Sequence, residues 1–386
     1  MTIRPFAPGD DLALNEVLHD ASTPAQHAAR NLFRADSESP VSRCVVAVLD
    51  DSDAGSGSGA GATDILVGAA AIAESPAHPH RAWVHVEVAE SERRRGVGRD
   101  LLAAVREAAA GTTLAGLPLR ARVAAGSDAE AAARAAGFSP LFTTRVIEVS
   151  PGALGGLGAD RLEDFEVTST GSVALTRAFA EWYAGVNRAD PAAEMTIGQV
   201  NTRFLSEAAG AHGAALLRAP GSGKNGEVTT FAVSYAQPEA GAAGAPGGSG
   251  TAASGAGAQG TAGGDSTGAE AGSPPAGGFA DDLPATELTL GSIFDARAAS
   301  GLGAAAGTDS GDTRATAEDT PRPDADDPEF QTALGDAGVL LARLSVETPV
   351  ALEVTSEMPV LTALVDGLLE AGQARVMQTY LTLGAG

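Results

Sequence analysis

The stretch Trp83-Val-His-Val-Glu-Val-Ala-Glu-Ser-Glu-Arg-Arg-Arg-Gly-Val-Gly-Arg-Asp-Leu-Leu102 decides the fold of the N-terminal part of the chain. Its apolar residues predict a strand up to Val88 and an amphipathic helix from Gly98, joined by a tight turn. The turn reads Arg93-x-x-Gly96-x-Gly98, and its glycines allow unusual backbone angles and let a ligand approach closely. The first N–H groups of a helix lack intrahelical partners and lie at its positive end. They form an anion site whose natural occupant is a diphosphate.

Four arginines surround this turn in a chain that is otherwise acidic. The sequence has 386 residues and a formal net charge of −24, yet the turn carries Arg93, Arg94, Arg95 and Arg99. This local reversal of sign favours a bound anion. A bare Arg-x-x-Gly-x-Gly is also compatible with a simple strand-to-helix turn and solvated arginines. The strand before it, the helix after it and the later Ala136-Gly137-Phe138 together favour the binding site.

These features resemble motif A of the GNAT superfamily of acyl-CoA N-acyltransferases, whose pattern is Arg/Gln-x-x-Gly-x-Gly/Ala. Ala136-Gly137-Phe138 is similar to the Gly-Phe that ends a later helix of the family, and the resemblance covers about residues 1–150. It implies that acyl-CoA lies between two splayed strands, with its pantetheine arm paired to the strand backbone. The sequence itself shows no metal-binding constellation, because its six histidines are scattered, so we expect no metal. The cofactor-binding residues implied by the resemblance are Val86, Val88, Arg93, Arg94, Arg95, Gly96, Val97, Gly98 and Arg99.

The resemblance also implies a catalytic base on the strand before the turn. Glu87 is the candidate, and because side chains alternate along a strand, His85 shares its face while Val86 and Val88 face the other side. A solvated or structural role for either residue stays open. The sequence departs from the family pattern at Ala133, where many members carry a tyrosine acid, so acid catalysis would need water or another group.

The order of predicted elements indicates an α+β fold, with a mixed and largely antiparallel sheet flanked by helices, duplicated in tandem. We predict a GNAT-like acyl-CoA-binding domain at 1–150, a linker at 151–163 and a second, degenerate GNAT-like domain at 164–386. Residues 237–278 contain no large apolar side chain and 297–328 contain one, so we predict disordered insertions there.

The second half lacks the motif. After its predicted strand, which ends at Phe294, comes Asp295-Ala296-Arg297 and an acidic segment without Arg-x-x-Gly-x-Gly. We therefore expect that this half does not bind CoA. We expect Trp182 and Tyr183 to belong to its core, and Cys44, the single cysteine, to be a buried core thiol in the first half.

Composition excludes several classes of protein. An acidic chain repels nucleic acid and anionic membranes, and no apolar run reaches the roughly 18–20 residues of a membrane span. The N-terminus lacks a secretory signal, which predicts a cytoplasmic protein. The leading hypothesis is an enzyme that transfers an acetyl group from acetyl-CoA to a small-molecule or peptide amine. The alternatives are a non-catalytic acyl-CoA-binding or regulatory module and a structural scaffold. The tandem arrangement predicts a pseudo-dimeric monomer, with a homodimer as the alternative.

Overall fold

The computed structural model consists of two compact units. Their residues are 1–139 with 382–386, and 140–381. The structure describes residues 1–21, 24–49, 65–236, 285–297, 324 and 326–386. The predicted insertion at 237–278, and all of the predicted insertion at 297–328 except residues 297, 324 and 326–328, lie outside the described residues.

The first unit is a mixed sheet flanked by helices, as predicted. Strands β1, β3, β4 and β5 pair antiparallel in that order, β2 pairs with β3, and β5 pairs with β6 in parallel. Its elements are β1 (Thr2–Pro5), α1 (Asp10–Val17), α2 (Pro24–Arg30), β2 (Ser37–Glu38), β3 (Val41–Leu49), β4 (Ile65–Ala73), β5 (Ala82–Val88), α3 (Val97–Ala108), β6 (Leu119–Ala124) and α4 (Asp128–Ala135).

Helices cover both faces of this sheet because β3 and β4 are apolar on both sides. On one face Leu14 of α1 packs in a buried cluster with alternate strand residues, among them Ala69 and Ala71. On the other face Leu101 of α3 is fully buried. Gly68 permits this contact, since a Cβ there would lie 3.2 Å from the Leu101 Cδ1 atom and 2.7 Å from the Glu87 carbonyl oxygen.

The second unit repeats the order of the first, which agrees with the predicted tandem duplication. Strands β8, β9, β10 and β11 pair antiparallel in sequence, and β11 pairs with β12 in parallel, as β5 does with β6. The elements of the second repeat are β8 (Phe165–Thr168), α5 (Val173–Val186), α6 (Ile197–Val200), a π-helical turn (Asn201–Leu205), β9 (Ala211–Arg218), β10 (Val228–Tyr235), β11 (Thr286–Ser292), α7 (Pro328–Leu344), β12 (Val350–Thr355), α8 (Pro359–Glu370) and β13 (Ala374–Ala385). The last residues of β13, from Thr382, are part of the first unit.

The last strand of the first repeat belongs to the second unit. This strand, β7 (Ser139–Val149), pairs antiparallel with β12, from Thr144 opposite Thr355 to Val149 opposite Val350. In the N-terminal part of the chain the first unit runs to residue 139, and the predicted domain at 1–150 stays a prediction.

The segment predicted as a linker, 151–163, is anchored within the second unit through Arg161. Its guanidinium donates to Asp164 at 2.9 Å and to the buried Asp336 of α7 at 2.6 Å. The Asp164 carboxylate in turn accepts the backbone N–H groups of Gly221 and Gly223 at 2.9 Å each.

Residues predicted to be core are buried. Phe179 on α5 is fully buried, and its ring centroid lies 5.4 Å from that of Trp182 and 5.9 Å from that of Tyr183. Cys44 is 2% exposed, and burial raises the pKa of its thiol to about 12, so it stays a neutral apolar group at physiological pH. Both predictions are confirmed. In the described part of the chain, no helix is long and apolar enough to cross a membrane.

Candidate functional site

The turn between β5 and α3 has the backbone geometry of an anion site. A short 3-10 turn at Glu90–Glu92 follows the strand, and Gly96 then precedes α3 with a left-handed φ of 88°. No side chain caps the start of α3. Its first N–H groups therefore remain available to an external acceptor at the positive end of the helix dipole.

The arginines of this turn are exposed, and those with a described partner are held only weakly. Arg93 donates from Nε to the Val88 carbonyl at 3.1 Å, while Arg95 and Arg99 pair with neighbouring acids, Glu92 at 3.0 Å and Asp100 at 3.2 Å. The pair of Arg99 with Asp100 is exposed on both sides, and such a pair contributes roughly 0–1 kcal/mol, so a phosphate can replace this acid as partner at little cost.

Arg94 adds backbone strain to this turn. Its φ is 65°, a left-handed value that a residue with a Cβ seldom adopts. Such strain persists where the surrounding structure fixes it, and it is concentrated at ligand sites. The turn is thus held in one particular shape, with the arginine side chains exposed around the helix start.

Strands β5 and β6 separate close to this turn. Their pairing in the described structure comprises Ala82 opposite Leu119 and Trp83 opposite Arg120, whereas β5 stays paired with β4 as far as Val88. From Val84 onward, β5 is therefore not joined to β6. The gap between the two strands is of the kind that an extended chain fills by pairing with a strand edge.

The predicted cofactor residues come together at the end of this gap. A Cβ on Gly98 would lie 3.6 Å from Val88 Cγ2 and 3.8 Å from Val86 Cγ1, so both valines face α3. Gly96, Val97 and Arg99 form the start of the same helix, and Arg93 touches the carbonyl of Val88. The nine residues thus border a single region, formed by the open edge of β5 and the start of α3.

The opposite face of β5 carries Trp83, His85 and Glu87, which lie opposite Ala73, Ala71 and Ala69 of β4. This is the face covered by α1, as the alternation of the sequence predicts for Glu87 and His85. The Trp83 ring also stacks under Arg120, whose guanidinium carbon lies 3.8 Å from the ring centroid.

Glu87 is buried and hydrogen-bonded on both carboxylate oxygens. Arg30 of α2 donates from Nε at 2.9 Å and from Nη2 at 2.6 Å, and Gln26 donates at 2.7 Å. The His85 Nε2 atom lies 3.4 Å from Glu87 Oε2, the oxygen to which Arg30 Nε also donates. Burial alone would raise the pKa of Glu87, but the hydrogen bonds from Arg30 and His85 and the charge of Arg30 lower it to about 2. A carboxylate held in this way is a weak base.

Sequence reasoning missed Arg30 and Gln26. The helix that carries them, α2, is short, and the signal for it was Thr23 followed by Pro24, a residue favoured in the first turn of a helix. Ala133, which stands at the position of the family's tyrosine acid, lies on α4. Among the described residues, no cluster of histidine, cysteine and carboxylate side chains is arranged to hold a metal ion.

The equivalent place in the second unit differs. Strand β11 pairs with β12 from Thr286 to Leu288, so these strands also separate. However, the chain turns into a helical segment at residues 293–297, and the fully buried carboxylate of Asp295 accepts the N–H of Val360 at 2.7 Å. Burial raises the pKa of Asp295 to about 7 although the N–H groups at the start of α8 stabilise its charge. Asp295 therefore occupies the start of α8. The helix in the position of α3 is α7, and Asp327 caps its start by accepting the N–H of Glu329 at 2.9 Å.

Comparison with models of protein families gives a match within the first unit. The model of the acetyltransferase (GNAT) family matches residues 20–138. No curated protein matches the chain.

Solved structures give weaker similarities. The chain is similar to a GCN5-related N-acetyltransferase from Sphaerobacter thermophilus, at 14% identity, with 99% of this chain and 94% of that chain covered and a TM-score of 0.45. It is similar to a tandem GNAT protein from the clavulanic acid biosynthesis pathway, at 13% identity, with 100% and 98% covered and a TM-score of 0.46. A putative GNAT acetyltransferase from Desulfovibrio desulfuricans has 24% identity, with 36% and 85% covered and a TM-score of 0.26.

The similarity to this family rests on the sequence match, which covers β5, the turn and α3 together. Through residues 20–138, the chain is therefore similar to the acetyltransferase (GNAT) family.

Proposed function

We propose that this protein is an acyl-CoA-dependent N-acyltransferase that transfers an acetyl group from acetyl-CoA to an amine. The observation that carries the proposal is the uncapped start of α3 beside the open edge of β5. A diphosphate requires several converging N–H donors, and an extended pantetheine arm requires a free strand edge. Both lie in the domain that matches the family.

The diphosphate of acetyl-CoA would bind the N–H groups of residues 94–99, with Arg93, Arg95 and Arg99 supplying charge. The pantetheine arm would run along β5 from Val88 toward Val84, with its amide groups paired to the backbone of that strand. The fit is supported by the absence of a side chain at Gly98, where a Cβ would lie 3.6 Å from Val88 Cγ2. A bulky side chain at Gly98 would therefore occupy the space of the ligand.

The amine would approach from the face of β5 that carries Trp83, His85 and Glu87. Direct attack of an amine on the thioester needs a group that accepts a proton from the ammonium. Glu87 and His85 lie on this face, within 3.4 Å of each other. We assign no described residue as the acid. The leaving sulfur would take its proton from the attacking amine or from water.

The test is calorimetric titration of acetyl-CoA into the wild type, Gly98→Trp and Gly98→Ala. We expect one site per chain in the wild type and a loss of at least about 100-fold in affinity in Gly98→Trp, because the indole blocks the helix start. Gly98→Ala is the matched control and should keep its affinity, since its Cβ makes only ordinary contacts. A folded wild-type protein that binds no acetyl-CoA would overturn the proposal, and two sites would show that the second unit also binds.

A second candidate is a non-catalytic acyl-CoA-binding or regulatory module. The low pKa of Glu87 favours it, because the family-like base position holds a carboxylate already committed to Arg30. Turnover separates the candidates. A protein that binds acetyl-CoA and releases CoA thiol only in the presence of amines is an enzyme, and one that binds without release is a module.

The partners that we propose are acetyl-CoA and a small-molecule or peptide amine, with neither nucleic acid nor membrane. We propose a cytoplasmic location and a pseudo-dimeric monomer. Light scattering of the purified chain at low concentration would reveal a homodimer instead.

A further inference from the structure

We propose that His85 is the catalytic base of this site, acting through its Nδ1 atom, and that Glu87 and Arg30 are positioning residues that hold its ring. This inference rests on the proposed acyltransfer function and assigns the roles within it. Three observations carry it: the commitment of both Glu87 oxygens, the direction of the His85 ring, and the distance of each residue from the helix start.

Glu87 lacks a free position for the proton of a substrate. Its Oε1 accepts from Gln26 at 2.7 Å and from Arg30 at 2.6 Å, and its Oε2 accepts from Arg30 at 2.9 Å. The side chain is 9% exposed. To accept a proton, the carboxylate would have to release a buried guanidinium partner, and an uncompensated charge would then stay buried.

The contact between His85 and Glu87 orients the imidazole. The Nε2 atom lies 3.4 Å from Glu87 Oε2, so in the neutral ring the proton belongs on Nε2, where the carboxylate accepts it. The ring is further held by Phe33, whose centroid lies 5.0 Å away. The lone pair of the neutral imidazole is then on Nδ1, for which the described residues show no hydrogen-bond donor.

Charged groups near this imidazole come from two elements. Glu87 lies on the same strand, and Arg30 reaches it from α2. The neighbouring strand β4 places Ala71 opposite His85, and the packed ring on the other side is Phe33, neither of which titrates. Because the positive charge of Arg30 balances the negative charge of Glu87, the imidazole of His85 lies beside a neutral ion pair and not beside an isolated anion.

The length of the pantetheine arm places the thioester beside His85. The arm has about twelve chain atoms between its phosphate and its sulfur, as many as about four residues of extended strand, or about 13 Å. Counted back along β5 from the turn that follows Val88, this length ends between Val84 and His85. Glu87 lies two residues closer to the diphosphate, and its side chain is held by α2.

The chemistry balances without another reactant. Nδ1 of His85 takes one proton from the substrate ammonium, and the amine lone pair then forms a C–N bond at the thioester carbonyl carbon. As the C–S bond breaks, the second proton on that nitrogen passes to the departing sulfur. The products are an amide, CoA thiol and an imidazolium, which returns its proton to solvent. A positioned base of this kind accelerates a reaction by roughly 10²–10⁴-fold.

The experiment compares His85→Gln, Glu87→Gln and the control His27→Gln, an exposed histidine on α2. Acetyl-CoA affinity is measured by calorimetry, and kcat is measured as a function of pH with four probe amines: an alkylamine, a diamine, an amino-acid amide and an aminoglycoside. Nitrogen-15 NMR of the imidazoles in the wild type, assigned with His85→Gln, gives the tautomer of His85 without any turnover.

We expect His85→Gln to lose at least about 100-fold in kcat at neutral pH with acetyl-CoA affinity unchanged within twofold. Activity should recover as pH rises, because solvent then deprotonates the amine. Glu87→Gln should lose about tenfold and should raise the fraction of the Nδ1–H tautomer, an effect that simple loss of stability would not produce. His27→Gln should match the wild type.

Two results would overturn the inference while acetyl-CoA binding stands: a kcat in His85→Gln equal to that of the wild type, or an Nδ1–H tautomer in the wild type. If none of the four amines is acetylated, the tautomer alone decides. Absence of acetyl-CoA binding in the wild type would instead overturn the proposed function, so the two failures are distinguishable.

Discussion

The ion pair between Glu87 and Arg30 should make the first unit markedly sensitive to acid. The pKa of Glu87 is lowered from 4.5 to about 2, and one pKa unit corresponds to about 1.4 kcal/mol. Because the folded-state pKa is the lower one, this stability is present above pH 4.5 and disappears as the pH falls toward 2. The contribution is about 3 kcal/mol at pH 7 and about half that at pH 3.

Substitution Glu87→Gln keeps the shape of the side chain and removes its titration. The chain has two tryptophans, so a Trp182→Phe background leaves Trp83 as the only one. Urea unfolding followed by Trp83 fluorescence then reports on the first unit. We expect the wild type to exceed the variant by about 3 kcal/mol at pH 7 and by about half at pH 3. The control Glu90→Gln removes an exposed carboxylate and should cost less than about 1 kcal/mol at either pH. A difference for Glu87→Gln below about 1 kcal/mol at pH 7, or one independent of pH, would refute the reasoning.

Three further predictions concern glycines and a buried acid. Gly96→Ala places a Cβ at a φ of 88°, so it should cost about 1 kcal/mol and weaken acetyl-CoA binding in calorimetry, and unchanged affinity would argue against the assigned helix start. Gly68→Ala would bring a Cβ within 2.7 Å of the Glu87 carbonyl oxygen, and we expect a loss of about 1–3 kcal/mol in urea unfolding, whereas a neutral result would mean that the two strands yield easily. The pKa of Asp295 is raised from 3.8 to about 7, so its ionisation destabilises the second unit increasingly over that range. Asp295→Asn can still accept the N–H of Val360, so it should raise the thermal stability at pH 8.5 and have little effect at pH 4, and equal effects at both pH values would contradict this account.

Local sequence patterns identify a strand well where its own residues favour extended structure. Phe165–Thr168 and Val228–Tyr235 are strands of this kind, because β-branched and aromatic residues are frequent in both. Phe294 was predicted to lie in a strand and does not. The strand ends at Ser292, since the following turn brings Asp295 to the start of α8, a contact between distant residues that no local pattern contains.

The candidate site likewise combines features that local sequence patterns predict with contacts between distant residues that they do not. Glycine spacing and charge predicted the turn at Arg93–Arg99, and alternation predicted the face of Glu87. The partner of Glu87 could not be predicted, because Arg30 lies 57 residues away in sequence and approaches only after α2 packs on the sheet. For the same reason the pairing of β7 with β12 was not foreseen, since strand periodicity specifies a face and not a neighbour.

The turn after β11 also bears on protein engineering. Both ends of the chain that joins β11 to α7 make described contacts. Arg297 donates to Glu181 at 2.9 Å and to Glu227 at 2.6 Å, and Asp327 caps α7 by accepting the N–H of Glu329 at 2.9 Å. The entropy cost of closing a loop grows only with the logarithm of its length, by about 0.6 kcal/mol for each doubling. A reporter domain, such as a fluorescent protein, inserted between these two ends would therefore add little to the entropy cost of joining them.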